Sequence, residues 1–289
     1  MARQKTVLVT GCSEGGVGDA LAQEYHRQGL RVIATARNLD KVGHLKAMGL
    51  DVIRLDVEDA NSIRDAAVEV QKLLGSPLDM LVNNAGIGYY VPLVDADIEH
   101  GKKLFNVNVL AVLAVTQAFT KQIVAAKGTI VNVGSVGSLV PVPFQGLYVA
   151  SKAALLHLTA CLRIELAPFG VKVVHIQAGG LKTDWAAHSR WELPDTSIYA
   201  PFHDEIESGL HGHLTTFDKT CKYNPPDPLH DFAARVVRDS LGSRPPAQVW
   251  VGTGVWGCWM ASFFWHTFQD GILSSMYGLK KVAERLAGK

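Results

Sequence analysis

The chain has 289 residues, 48% of them hydrophobic and 19% charged, with a formal net charge of +1. That much apolar material can bury a large core in one α/β unit. The near-neutral balance gives no electrostatic footprint for nucleic acid, and four cysteines, at 12, 161, 221 and 258, are too scattered for a zinc site or a disulfide framework, pointing to a reducing compartment.

The N-terminus "MARQKTVLVTG" enters a strand at once, so no signal peptide is expected. "TVLVT" (6–10) predicts a buried strand, and "DALAQEYHRQG" (19–29) a helix closed by Gly29. Strands are predicted at 31–36 and 51–57, then a helix at 61–75 with an Asn/Ser start and a Gly75 stop. "DMLVNN" (79–84), "GTIVNVGS" (128–135) and "VKVVHIQ" (171–177) complete this series of strands. Strands apolar on both faces and separated by helices predict an α/β fold: a Rossmann-type doubly wound parallel sheet with helices on both faces, in a single domain. The alternation breaks after about 180. Residues 181–226 have no clear period and read as a substrate-loop insertion; a helix (229–241) and a strand (247–252) follow. The catalytic unit is thus expected over 1–252, with an aromatic-rich extension over 253–289.

"VTGCSEGGVGDALA" sits where the first strand turns into the first helix. Gly11, Ser13, Gly16, Val17 and Gly18 are the candidate cofactor-binding residues there. Glycines let the backbone approach a pyrophosphate, whose charge the helix N-terminus meets. Glu14, in the same loop, must point away from phosphates. The second strand ends "ATARN", without the acid that holds a ribose 2′-hydroxyl. Arg37 stands in that place, and a guanidinium suits a 2′-phosphate, so NADP(H) is expected over NAD(H); an exposed arginine opening a helix is the structural alternative. Asp56 and Val57 end the third strand, where the carboxylate can accept from an adenine amino group or cap the following turn. Asn84, Ala85 and Gly86 of "NNAG" end the fourth strand, at the carboxyl edge where ligands bind in open α/β sheets.

"TGCSEGGVG", "NNAG", "NVN" ending at Asn108, "GS" at 134–135 and Tyr148-x-x-x-Lys152 follow one another in an order that resembles the short-chain dehydrogenase/reductases, over about residues 5–255. Two departures stand out: the glycine loop is one residue longer than usual, and Ala178-Gly179 replaces the usual Pro-Gly. The resemblance implies a catalytic set of Asn108, Ser135, Tyr148 and Lys152, with no metal. It also implies that Tyr148 and Lys152 contact the cofactor, that Lys152 binds the nicotinamide ribose, that Asn108 anchors a water in a proton relay, and that Leu181 and Thr183 lie on the cofactor. The chemistry is coherent by itself. Tyr148 and Lys152, four apart on a helix, share a face. A free tyrosine titrates near 10, and an adjacent ammonium lowers that value; a shift of ~3 units corresponds to about 4 kcal/mol. Tyr148 then serves as general acid in ketone reduction, with Ser135 holding the substrate oxygen.

The helices bearing "VLAVLAVTQAF" (109–119) and "YVASKAALLHLTACLRIELAPFG" (148–170) are apolar on all sides. A surface helix needs a polar face, so these two predict a homodimer or homotetramer interface; the alternative is that the C-terminal tail covers them. Tyr89, Tyr90, Val91, Phe144, Trp185 and Trp191 lie on the expected substrate loops and imply a hydrophobic carbonyl substrate, while Arg190 and several histidines offer polar contacts. "AKGTIV", "LYVASKAA", "GGLKTD" and "VWVGT" resemble the branch containing NADPH-dependent 1-acyldihydroxyacetone-phosphate reductase, which implies a lipid-like or polycyclic ketone. A reductase-derived enzyme of non-redox chemistry, such as a cyclase or isomerase, and a non-catalytic NADP-binding scaffold are the alternatives. The aromatic tail reads either as packing on the body of the fold or across the oligomer, closing over the substrate loop, or as a peripheral membrane contact through 250–268. The expected location is cytoplasmic, with an intracellular membrane or lipid droplet surface following from the second reading.

Overall fold

β1 (Thr6–Val9) carries apolar side chains on both faces, and each face finds its own layer. Val7 and Val9 join one buried cluster and Leu8 the other. A strand covered on both sides is what a parallel sheet requires, because its crossover helices occupy both faces. The computed structural model describes residues 3–181, 191, 193–208, 228–264 and 266–288.

The sheet has seven parallel strands in the order β3-β2-β1-β4-β5-β6-β7. After β1 come β2 (Arg31–Ala36), β3 (Asp51–Arg54), β4 (Met80–Asn83), β5 (Thr129–Val133), β6 (Lys172–Ala178) and β7 (Gln248–Val251). The order reverses between β1 and β4, so the crevice above their carboxyl ends is the topological switch point at which such sheets bind ligands. On one face lie α1 (Val17–Arg27) and α2 (Gly43–Ala47), with Leu21, Ala22 and Tyr25 of α1 and Leu45 of α2 buried against the valines of the sheet. On the other lie α3 (Ala60–Leu74), α5 (Ala111–Ala126) and α6 (Gly146–Leu166), with Ile63, Val70, Phe119, Ile123, Leu155 and Leu162 among their buried residues. α4 (Ile98–Phe105) runs into α5 through a π turn at Asn106–Leu110. α7 (Leu229–Ser240) packs beside α1, where the Tyr25 and Ser240 hydroxyls share a 2.8 Å hydrogen bond. Beyond β7, α8 (Val255–Ala261), α9 (Asp270–Met276) and α10 (Leu279–Leu286) form the C-terminal extension.

One expectation is corrected and one alternative is set aside. α3 is capped not by its Asn/Ser start but by Asp59, whose carboxylate accepts from Asn61 N. Ser62 instead turns back to accept from Asp56 N at 2.9 Å. The tail does not lie over the outer faces of α5 and α6: Leu110 is 57% and Ile164 66% exposed, and the described part of the extension packs on Phe144, Phe202 and Ile206 instead. Within the single chain, Trp256 is 68% and Phe263 69% exposed, so these rings do not pack on the body of the fold. The helices α4–α5 and α6 are long and apolar enough to cross a membrane. They flank the sheet, however, and bury Asn108 and Lys152, as core helices do.

Candidate active site

The glycine turn follows β1 directly. Gly18 opens α1 so close to the preceding loop that a Cβ would stand 2.4 Å from Gly11 O and 2.5 Å from the Asn84 side-chain amide, so no larger residue fits. Within the loop, Gly15 adopts φ +74° and donates its N–H to the Asp19 carboxylate at 3.0 Å. Asp19, in the first turn of α1, also accepts from Gln23 and sits 2.7 Å from His44 Nε2 on α2. Sequence reading missed this pair; the visible signal was a single acid in the turn that opens α1. Ser13, Gly16 and Val17 are half-buried in the same turn, and Glu14 is exposed, with its backbone N–H held by Lys41 O at 3.0 Å.

The β4 edge is tied to this turn by Thr10, a residue not singled out from sequence. Its hydroxyl accepts from Asn84 N and Ala85 N, at 2.9 and 3.1 Å. The Asn84 side chain donates to the Thr10 and Gly11 carbonyls, so it staples the two loops together. Val57 and Ala85 line a small cavity with Thr10 and Val107 beside the switch point. Asp56 serves its own turn, accepting from Glu58 N at 3.1 Å. Arg37 emerges at the end of β2 with its side chain 67% exposed, 3.5 Å from the Glu58 carboxylate. Glu58 was not anticipated, and Lys103 shares it at 3.7 Å. Leu181 packs against the core cluster on the α1 face, whereas Thr183, Trp185 and Arg190 lie outside the described residues.

Further along the same carboxyl edge, β5 ends at Ser135 and α6 presents Tyr148 and Lys152. The Ser135 and Tyr148 side chains are hydrogen-bonded, and the Ser135 hydroxyl accepts from Gly137 N at 3.1 Å. Lys152 is buried, donates to Val133 O at 3.1 Å, and stands 5.8 Å from the Tyr148 ring centroid. Asn108 lies in the π turn. Its carboxamide accepts from Ile87 N and donates to Ile87 O, both at 2.9 Å, and donates to the Ser151 hydroxyl at 3.0 Å. Ser151, also unforeseen, donates to Tyr148 O at 2.7 Å. Gly86 lies between them: a Cβ there would be 3.1 Å from Asn108 Oδ1 and 3.6 Å from Lys152 Nζ.

The electrostatics of the chain alone differ from the expected lowering of the tyrosine. Burial pushes Tyr148 up to about 12, only partly opposed by the Ser135 hydrogen bond. Burial also pushes Lys152 down to about 8. Desolvation is the main cause for both groups, and the ammonium donates to Val133 O. At neutral pH both hold their protons, which is the protonation state a general acid needs.

Around this centre the described walls are apolar. Tyr90, Val91 and Phe144 are buried, and Trp191 and Tyr199 pack on Phe144. Tyr89 is corrected: its ring stacks on His100 at 4.1 Å and its hydroxyl accepts from Asp97 N, so it serves α4, not the pocket.

Fold and site together define a dinucleotide-binding α/β protein with a Ser–Tyr–Lys acid–base centre, half-buried around a buried lysine, at the switch-point edge of its sheet. Residues 5–193 match the short chain dehydrogenase family, and the chain belongs to it: it is an oxidoreductase of that family. It is 45% identical over 207 residues, 70% of each chain, to the NADPH-dependent 1-acyldihydroxyacetone phosphate reductase of Schizosaccharomyces pombe. Over 291 residues, 99% of this chain and 97% of the other, it is 37% identical to the short-chain dehydrogenase fogD of Aspergillus ruber. A solved short-chain dehydrogenase from Streptomyces avermitilis superposes with a TM-score of 0.75 at 24% identity, covering 98% of both chains. The family pattern has proline where this chain has Ala178, and here β6 runs through that residue to pair with Val251.

Proposed function

We propose that the protein is an NADPH-dependent ketoreductase acting on a hydrophobic, lipid-like or polycyclic ketone. The observation that carries this reading is the constellation of Ser135 hydrogen-bonded to Tyr148 with the buried Lys152 one turn along, the phenol holding its proton well above neutral pH. NADPH, when bound, supplies a hydride to the carbonyl carbon. The chain's own residues do the rest. Ser135 donates to the substrate oxygen and holds it at the phenol; Tyr148 gives that oxygen its proton. Lys152 supplies a positive charge under the ring and, within the nicotinamide half of the site, a ribose contact. Asn108 has spent its carboxamide on Ile87 and Ser151, so a water relay at this position uses its main chain. Gly11, Ser13, Gly16, Val17 and Gly18 receive the pyrophosphate, and Arg37 the 2′-phosphate. The fit rests on the close Gly18 approach, which admits no side chain where α1 begins, and on the guanidinium where an NAD-specific acid would stand. The 45%-identical relative carries NADPH dependence in its name, which supports the same assignment.

Tyr148→Phe tests the mechanism. It should lower kcat about 10²–10⁴-fold while leaving NADPH affinity nearly unchanged. Wild-type turnover in that variant, measured as NADPH oxidation with a ketone panel and product mass spectrometry, would refute the assignment; a product formed without NADPH consumption would favour the non-redox alternative.

A second reading concerns location. Trp256, Met260, Phe263 and Phe264 form an exposed apolar strip on and just after α8, with the exposed Lys280 and Lys281 in the same extension. Such a strip suits the headgroup region of a bilayer. Full-length protein should co-sediment with anionic liposomes, and the double variant Trp256→Ser/Phe263→Ser should not. Equal sedimentation of the two removes this reading.

A further inference from the structure

Phe144, four residues before Tyr148, has φ +64°. Only one other non-glycine among the described residues shares a positive φ, Lys127, and that residue is the C-cap of α5. The left-handed region is unfavourable for a residue with a Cβ and persists only where surrounding packing over-determines it. Here the packing is visible. The Phe144 ring is buried and meets Trp191 at 5.2 Å, Tyr199 at 5.8 Å and Tyr277 at 6.4 Å between centroids. Its carbonyl accepts from Val91 N at 2.8 Å. The residue next after it, Gln145, caps α6, and Gln145 O accepts the helix's Val149 N–H at 2.9 Å. Any movement of Phe144 is therefore passed directly into the turn that carries Tyr148.

Tyr277 belongs to the C-terminal extension yet is only 1% exposed. It lies in one cluster with Phe144, Phe202, Ile206 and Val282. The extension is fastened there by Arg285, which donates to Glu205 at 2.7 Å and stands 5.3 Å from the Phe202 ring. Its phenol is in electrostatic range of Tyr90, and Tyr90 in turn of Tyr148.

We propose that Tyr277 is a positioning residue for the catalytic centre: its ring braces Phe144 in the left-handed conformation, and this sets the start of α6 and hence the place of Tyr148. The C-terminal extension is on this account a working part of the active site. The inference rests on the ketoreductase reading for its kinetic consequence but not for its structural one.

Four variants test it. Tyr277→Phe keeps the ring and should keep kcat within about twofold. Tyr277→Leu removes the ring and should lower kcat about tenfold or more, as small misplacements of catalytic groups do, with NADPH affinity unchanged within about twofold. Phe144→Ala keeps the strained φ without the ring, whereas Phe144→Gly relieves it. The glycine variant should therefore retain at least about threefold more kcat than the alanine variant. Amide hydrogen exchange of residues 145–149 supplies a readout independent of turnover: it should accelerate in Tyr277→Leu and not in Tyr277→Phe. Wild-type exchange in Tyr277→Leu, or equal kcat for Phe144→Ala and Phe144→Gly, overturns the proposal. Absence of ketone-dependent NADPH oxidation in the wild type would sink the ketoreductase reading alone, the exchange result still deciding the brace.

Discussion

Arg37 and Glu58 meet at 3.5 Å on an exposed edge, and Lys103 competes for the same carboxylate. An exposed pair of this kind contributes about 0–1 kcal/mol, so Glu58 weakly restrains a guanidinium that is otherwise available to a phosphate. Glu58→Gln should raise the preference for NADPH over NADH about threefold, read as the ratio of kcat/KM values. Arg37→Asp should lower it at least about tenfold, since a charged hydrogen bond contributes roughly 1.5–3 kcal/mol. A ratio unmoved by Arg37→Asp removes that residue from the cofactor site. Lys152 presents the opposite balance of stability and use. Its value of about 8 lies below the ordinary 10.5 of the unfolded chain, because burial disfavours the ammonium. The folded state therefore binds fewer protons between those two values, and stability rises as the pH climbs through that window. Below pH 8 the full penalty applies, on the order of 3 kcal/mol. Lys152→Met should raise the Tm at pH 7 while abolishing turnover, and the gain should shrink toward pH 10.5. In the wild type, kcat for reduction should fall as the pH rises through about 8, because the charge under Tyr148 is lost. A Tm gain that does not depend on pH would show that the lysine is not desolvated in this way.

At the scale of elements, the π turn between α4 and α5 stands out. Asn108 in this turn brackets both backbone groups of Ile87 with its carboxamide, and Ser151 on α6 completes the lock. Such π segments commonly mark functional sites. The pattern "NVN" was legible in the sequence, but the turn was not, because nothing in local propensity separates one wide turn from a continuous α-helix. Element positions fared well for the opposite reason. β2 occupies 31–36 as read, since its apolar run is bounded by Gly29 and by Arg37. Most other boundaries move by a few residues, as frayed ends do; α5 runs seven residues beyond its quoted segment.

On the scale of the whole molecule, α5 and α6 bury one face each against the sheet, and Leu110 and Ile164 stay exposed. With the described tail engaged elsewhere, a second copy of the chain is the natural cover, and this supports a homodimer or homotetramer. Light scattering at micromolar protein should give a multiple of 31.3 kDa, and Ile164→Glu should reduce it; a monomeric mass for the wild type would rule the interface out. Sequence by itself determined the α/β class, the parallel sheet and the residue types offered for the chemistry, because two-sided apolar strands and a strand–glycine–helix turn admit few folds. Only the tertiary structure decided the rest. It showed that Glu58 faces Arg37, that Tyr89 serves α4, that burial raises the tyrosine's value against the Ser135 hydrogen bond, and that the distant Tyr277 packs on Phe144. Each of these depends on which groups share a neighbourhood and how much water is excluded from it, and residues far apart in the chain set both.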